Sequence, residues 1–178
     1  MKRLIIIILI AIAAFVIGWI YLSKKTPQPE PVKITSFQEC ADAGNPVMES
    51  YPRQCRSGDQ TFTEEIGNEL EKSDLIRLDN PRPNQTVSSP LTISGEARGY
   101  WFFEATFPVV LVDWDGLIIA EGYATAQTDW MSEDFVPFTA TLEFKKPSYK
   151  NTGSLILKKS NASGLPENDD ALEIPILF

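Results

Sequence analysis

Histidine is absent from the 178-residue chain, and cysteine occurs only twice. Without histidine, the Ser-His and Cys-His catalytic pairs and the usual zinc ligand sets have no members. Two cysteines are too few for a four-thiolate metal site, and Cys40 and Cys55 are too far apart for the C-x-x-C spacing of redox enzymes. Cations are scarce as well: 16 Lys and Arg stand against 24 Asp and Glu. Four of those cations (Lys2, Arg3, Lys24, Lys25) flank one apolar run, so the rest of the chain sets 12 basic against 24 acidic side chains, a net of −12. Such a surface repels phosphate backbones and anionic headgroups, which removes nucleic acid and attraction to anionic lipid as expected partners. The expectation is a non-enzyme with no cofactor, no metal and no catalytic residue.

The longest uncharged stretch is residues 4–22, LIIIILIAIAAFVIGWIYL, in which only Gly18 weakens a helix. At a rise of ~1.5 Å per residue its length matches a bilayer's hydrocarbon core of ~30 Å. Leu, Ile, Val and Phe dominate it, each contributing roughly −0.3 to −0.6 kcal/mol to insertion, and Trp19 and Tyr21 sit near its end where amphipathic rings favour the headgroup layer. A cleaved secretory signal needs a shorter core and a small-residue exit, whereas this exit reads Trp-Ile-Tyr-Leu-Ser-Lys-Lys. Residues 1–25 are therefore expected to be a transmembrane anchor. The segment 26–36 opens TPQPEP, with proline at every second position, and reads as an extended spacer. The cations on the two sides nearly balance, so they leave the orientation open.

Residues 37–73 hold both cysteines. The remaining choices for Cys40 and Cys55 are a disulfide or two reduced thiols. Closing a ~15-residue loop contributes about 3 kcal/mol by the chain-entropy account, a large term for a segment with so few core residues. The disulfide is the expectation. It places the bulk of the chain in an oxidising compartment, amino terminus inside and carboxyl-terminal domain extracytoplasmic. Residues 37–65 resemble a small cysteine-paired motif of bacterial envelope proteins (C…G-x-P-V…Y-P-x-x-C…G…F), which implies no activity. Residues 64–73 (EEIGNELEKS) read as a short helix or a linker.

From Asp74 onward the pattern changes to short apolar–polar alternations punctuated by Gly, Pro, Asn and Asp. Seven strands are expected, at 75–78, 91–97, 104–114, 117–125, 137–144, 154–160 and 172–177. Alternation is cleanest in the fifth, where Phe138, Ala140, Leu142 and Phe144 share one face. Asp115-Gly116 signals a two-residue hairpin turn of type I′. This spacing, without a long helical pattern, predicts an all-β fold, an immunoglobulin-like two-sheet sandwich over residues 74–178. Phe103, Phe107, Val109, Leu111, Phe138, Leu142, Phe144, Leu155, Leu157, Ile174 and Ile176 are its expected core.

The run IRLDNPRPNQTVSSPLTISG (76–95), then GYWFFEA (99–105), VLVDWDG (110–116), DWM (129–131), FVPF (135–138) and the final I-P-I strand resemble the bacterial spore-germination immunoglobulin-like domain. The resemblance implies an immunoglobulin-like sandwich in a surface or envelope protein and brings no catalytic residues with it.

The consecutive aromatics Tyr100, Trp101, Phe102 and Phe103 cannot all face one core from an extended segment. Trp101 and Trp130 are accordingly the candidate binding residues, set against the alternative that Trp101, Phe103 and Trp130 plug one end of the sandwich. Asp113, Asp115, Asp129, Glu133 and Asp134 invite a calcium reading, but D-x-D-G at 113–116 lacks the later ligands of a calcium loop and is explained by the hairpin. Glu104 with Asp129 or Glu133 would be the carboxylate pair of a glycoside hydrolase. Asn84 and Asn161 head glycosylation acceptor triplets in form. The functional expectation is a membrane-anchored envelope protein that displays an immunoglobulin-like domain for binding protein or cell-wall polymer. The alternatives are a structural spacer without a specific ligand and a carboxylate-based glycoside hydrolase.

Overall fold

A computed structural model describes residues 33–178 together with Ile12, Ala14, Phe15, Val16 and Trp19. The anchor expected at residues 1–25 lies, but for those five, outside the described residues, as does most of the 26–36 spacer. Among the described residues no helix is long and apolar enough to cross a membrane.

The cysteine segment folds around its disulfide. Ser36 caps the short α-helix Phe37–Asp42, its hydroxyl accepting from the Glu39 amide. Three strands come next, β1 (Val47–Met48), β2 (Gln54–Ser57) and β3 (Gln60–Thr63), in the order β1-β2-β3. The Cys40–Cys55 disulfide ties the helix to β2, and both cysteines are fully buried. The stretch read as helix or linker contains one helical turn, Glu69–Lys72.

All seven expected strands of the larger part form: β4 (Ile76–Asn80), β5 (Leu91–Arg98), β6 (Thr106–Asp113), β7 (Ile118–Ala126), β8 (Phe135–Leu142), β9 (Thr152–Lys158) and β10 (Ala171–Leu177). The division into two sheets is corrected. The hydrogen-bonded order β10-β9-β6-β7-β8-β5-β4 is unbroken. The physical reason is one corner: β7 pairs with β6 along its length but with β8 only at Thr125↔Thr139 and Ala126↔Phe138. Two leaves therefore face each other as in a sandwich, joined at that corner, and a parallel bridge between Thr86 and Leu177 ties the opposite edges into a near-barrel.

Between the leaves lie Ile76, Leu78, Ile93, Phe107, Leu111, Phe138, Leu155, Leu157, Leu172, Ile174 and Ile176, all essentially inaccessible. Phe107 packs edge-to-face on Phe102 and Phe138, with centroids 5.2 and 4.9 Å apart. Nine of the eleven expected core residues are buried, but Phe103 is exposed and Phe144 only packs against the core from beyond the end of β8. Strand alternation points Phe103 inward. Residues 99–101 instead form a 3₁₀ turn, which shifts the phase and buries Trp101 and Phe102 in its place.

The β6–β7 hairpin is present, but its turn is not type I′. Gly116 N–H donates to Asp113 C=O at 3.0 Å, Asp113 N–H to Leu117 C=O at 3.0 Å, and of the connecting residues only Gly116 has a positive φ (80°). This is a type I turn closed by a glycine bulge, a geometry that asks for one left-handed residue rather than two. Asp113 Oδ1 also accepts the Asp115 and Leu117 amides, each at 3.0 Å, which holds the turn.

Candidate functional site

Trp101 is fully buried. The 3₁₀ turn that carries it is drawn inward because Gly99 lies against the β7–β8 connection, where an added Cβ would stand 1.8 Å from Ser132 O and 2.3 Å from Trp130 O. The turn is fastened by Gly99 N–H to Asp134 C=O and by Ser160 N–H to Trp101 C=O. The Trp101 indole N–H has no hydrogen-bond partner among the described residues. Trp101 thus offers no ring face to a ligand, which corrects its reading as a binding residue. Trp130 is half-buried against the same core. These two tryptophans close one end of the sandwich.

The other candidates are dispersed. Glu104, Asp129 and Glu133 are exposed on the β5–β6 and β7–β8 connections, and Asp129 Oδ1 accepts the Met131 amide. Among the described residues no three His, Cys, Asp or Glu side chains form a group fit to hold a metal. Both acceptor-like asparagines use their side-chain amides internally. Asn84 donates to Glu64 Oε1 and Glu65 C=O, and Asn161 to Leu165 C=O and Asp169 Oδ1.

Residues 36–178 form one compact unit, and the cysteine segment is seated on the sandwich. Asn68 exchanges hydrogen bonds with the Glu173 backbone and donates to Ala171 C=O, covering the edge of β10. Gly67 makes this possible, since a Cβ there would lie 1.9 Å from Glu173 O. Two buried carboxylates reinforce the seat. Glu64 receives a fork from Arg53, at 2.7 and 2.5 Å, and that hydrogen bonding holds its pKa below the usual carboxylate range. Glu69 pairs with Arg82 at 2.7 Å and accepts from the Tyr51 hydroxyl, yet loss of water outweighs the guanidinium and moves its pKa upward. This network is structural, each charge being paired.

The opposite end of the sandwich is built differently. Trp114, in the β6–β7 turn, stacks edge-to-face on Tyr149 of the β8–β9 connection, centroids 5.3 Å apart. Lys150 Nζ stands 3.9 Å above the Trp114 ring. Trp114 is 41 % exposed, Tyr149 64 % and Leu117 66 %. Together with Lys145 and Lys146 they border an open cleft of about 410 Å³, within the roughly 300–1,000 Å³ of small-ligand sites. A larger cleft, about 600 Å³, runs along Lys158, Lys159, Asp169 and Asp170 but has no aromatic wall. At the Trp114 cleft, exposed rings and cations outside any salt bridge converge in a walled depression.

A family model described as the immunoglobulin-like domain of bacterial spore germination matches residues 75–164, half of the chain. The chain belongs to this family. No curated protein and no solved structure matches it. The matched span takes in β4 to β9 of the germination-type domain and so both of its ends, Trp101 and Trp130 at one and Trp114 and Tyr149 at the other. The final strand β10, which completes the sheet beside β9, lies beyond the matched residues.

Sequence reasoning missed Trp114 because it lies in VLVDWDG, a stretch explained by the hairpin. The signal that finds it is positional: a tryptophan at the first central position of a tight turn has no core to enter. Tyr149 and the three lysines of KKPSYK lie in a connection whose partner across the cleft is visible only once the hairpin is placed.

Proposed function

We propose that this chain is a non-enzymatic, single-pass, membrane-anchored envelope protein that displays its germination-type immunoglobulin-like domain outside the cytoplasm for binding to protein or cell-wall polymer. One observation carries the binding role: Trp114, Tyr149 and Leu117 cluster at one end of the sandwich with much of their apolar surface in solvent. Covering what remains exposed of these rings is favourable at roughly 25 cal/mol per Å² of apolar surface, and a cluster of such surface is a common mark of a contact site. The anchor is supported by the uncharged run at residues 4–22. The extracytoplasmic location is supported by the Cys40–Cys55 disulfide, which persists in oxidising compartments. Anchoring raises the local concentration of the domain at the membrane and strengthens weak contacts.

The test is capture of the full-length protein, in detergent micelles, by purified cell-wall material and envelope extracts. Capture should fall at least several-fold on Trp114→Ala and Tyr149→Ala with the melting temperature preserved. Capture unchanged in both variants would reject the binding role. A structural spacer is the second reading, favoured by the complete burial of Trp101, and a spacer would show no capture by any material.

A further inference from the structure

The cations around Trp114 narrow the class of ligand, on the footing of the binding role just proposed. The protein as a whole is acidic, with net charge −8. Against that background Lys145, Lys146 and Lys150 fall within six consecutive residues, all exposed, on the connection that forms one wall of the cleft. Of the carboxylates nearby, Asp113 lines the cleft and accepts two backbone amides, while Asp115 and Glu143 are exposed on the same two connections. Lys150 is held over one face of the Trp114 ring, which fixes a positive charge against that face and leaves the rest of the ring for contact. No salt bridge engages these three lysines among the described residues.

We infer that the Trp114 cleft binds an anionic polysaccharide, its sugar rings packing against the exposed parts of Trp114, Tyr149 and Leu117 and its acidic groups meeting Lys145, Lys146 and Lys150. Ring and charge are presented side by side, which suits a polymer that alternates apolar ring faces with anions. A flat anionic membrane is disfavoured, because it would face the acidic remainder of the domain along with the cleft and be repelled over a wide area. A polymer chain contacts the cleft alone. Carboxylate and phosphate are equivalent for this recognition, since lysine meets either as a point charge.

The experiment titrates the full-length protein in detergent with five probes at low and at moderate salt. These are polygalacturonate, its methyl ester, phosphomannan, polyphosphate and phosphatidylglycerol vesicles. The expected result is binding of polygalacturonate, phosphomannan or both, with the pair telling carboxylate from phosphate. The uncharged methyl ester and the ring-free polyphosphate should each bind about tenfold or more weakly. Trp114→Ala should cost about tenfold, and each of Lys145→Gln, Lys146→Gln and Lys150→Gln about two- to five-fold, with losses that shrink as salt rises. Equal binding of the methyl ester would show that charge plays no part and overturn the inference. So would equal binding of polyphosphate, binding of the vesicles through these residues, or binding of neither glycan. If cell-wall capture still depends on Trp114 when both anionic glycans fail, the binding role stands and the ligand class falls.

Discussion

At one end of the sandwich the connection 99–105 carries Trp101 and Phe102 into the core; at the other, the connections 114–117 and 143–151 leave Trp114 and Tyr149 largely to solvent. Both ends are rich in aromatic residues, so residue type does not separate the closed end from the open one. Backbone path does. Gly99 lets a 3₁₀ turn press against the neighbouring connection and carry its tryptophan into the core. Gly116 instead closes a tight turn whose central positions, Trp114 among them, project beyond the sheet. A tryptophan in the first setting is enclosed by the core, and one in the second stays partly in solvent.

This contrast predicts a graded series of variants. The largest effect is at the closed end. Trp101→Ala should destabilise the domain by about 3–5 kcal/mol in denaturant unfolding, while Trp101→Phe should cost far less, because it removes a buried, unpartnered N–H along with the lost volume. If Trp101→Ala proves nearly neutral, the closed end is not closed. Next, replacing Cys40 and Cys55 by Ser should cost about 3 kcal/mol, read as loss of the cooperative transition of the cysteine segment, with wall capture through Trp114 retained. Gly99→Ala should cost about 1–3 kcal/mol, since the new methyl group meets the Ser132 carbonyl, and its melting curve is the check.

The seam between the cysteine segment and the sandwich sharpens the comparison by giving a pH signature that neither end shares. The Glu64 pKa is depressed on folding, so its contribution is present above the ordinary carboxylate value and is lost as pH falls through the lower folded value. The Glu69 pKa is raised, so its contribution is present below the ordinary value and is lost as pH rises through the higher folded one. Stability measured against pH should therefore lose part of its acid-side decline in Glu64→Gln. In Glu69→Gln it should lose part of the decline seen as pH rises past the ordinary carboxylate value. Identical profiles for the two variants would contradict the assigned pairings. The smallest stability effect belongs to the open end: Trp114→Ala should cost no more than about 1 kcal/mol, the scale of an exposed aromatic contact, while removing binding.

Much of the fold was legible because period-2 alternation and turn residues report directly on strands. All seven strands and the presence, though not the turn type, of the hairpin at Asp115-Gly116 were readable in this way, and the Cys40–Cys55 pairing from cysteine count and loop closure. The continuity of the sheet was not, since it depends on two residue pairs between β7 and β8 that no local pattern marks. The site was harder still. Alternation placed Phe103 in the core where the 3₁₀ turn puts Phe102, while Trp101 is buried as the end-plug alternative had it. Trp114 and Lys150 are 36 positions apart in the chain, and only the pairing of β6 with β9 brings their connections to one end of the sandwich.

Hydroxyl-radical footprinting of the full-length protein, read tryptophan by tryptophan by mass spectrometry with and without polygalacturonate, tests this division most directly. Trp114 and Tyr149 should oxidise readily and become protected when the glycan is added, while Trp101 stays inert in both conditions. Oxidation of Trp101 at a rate matching Trp114, or protection that falls on Trp130 and spares Trp114, would contradict it.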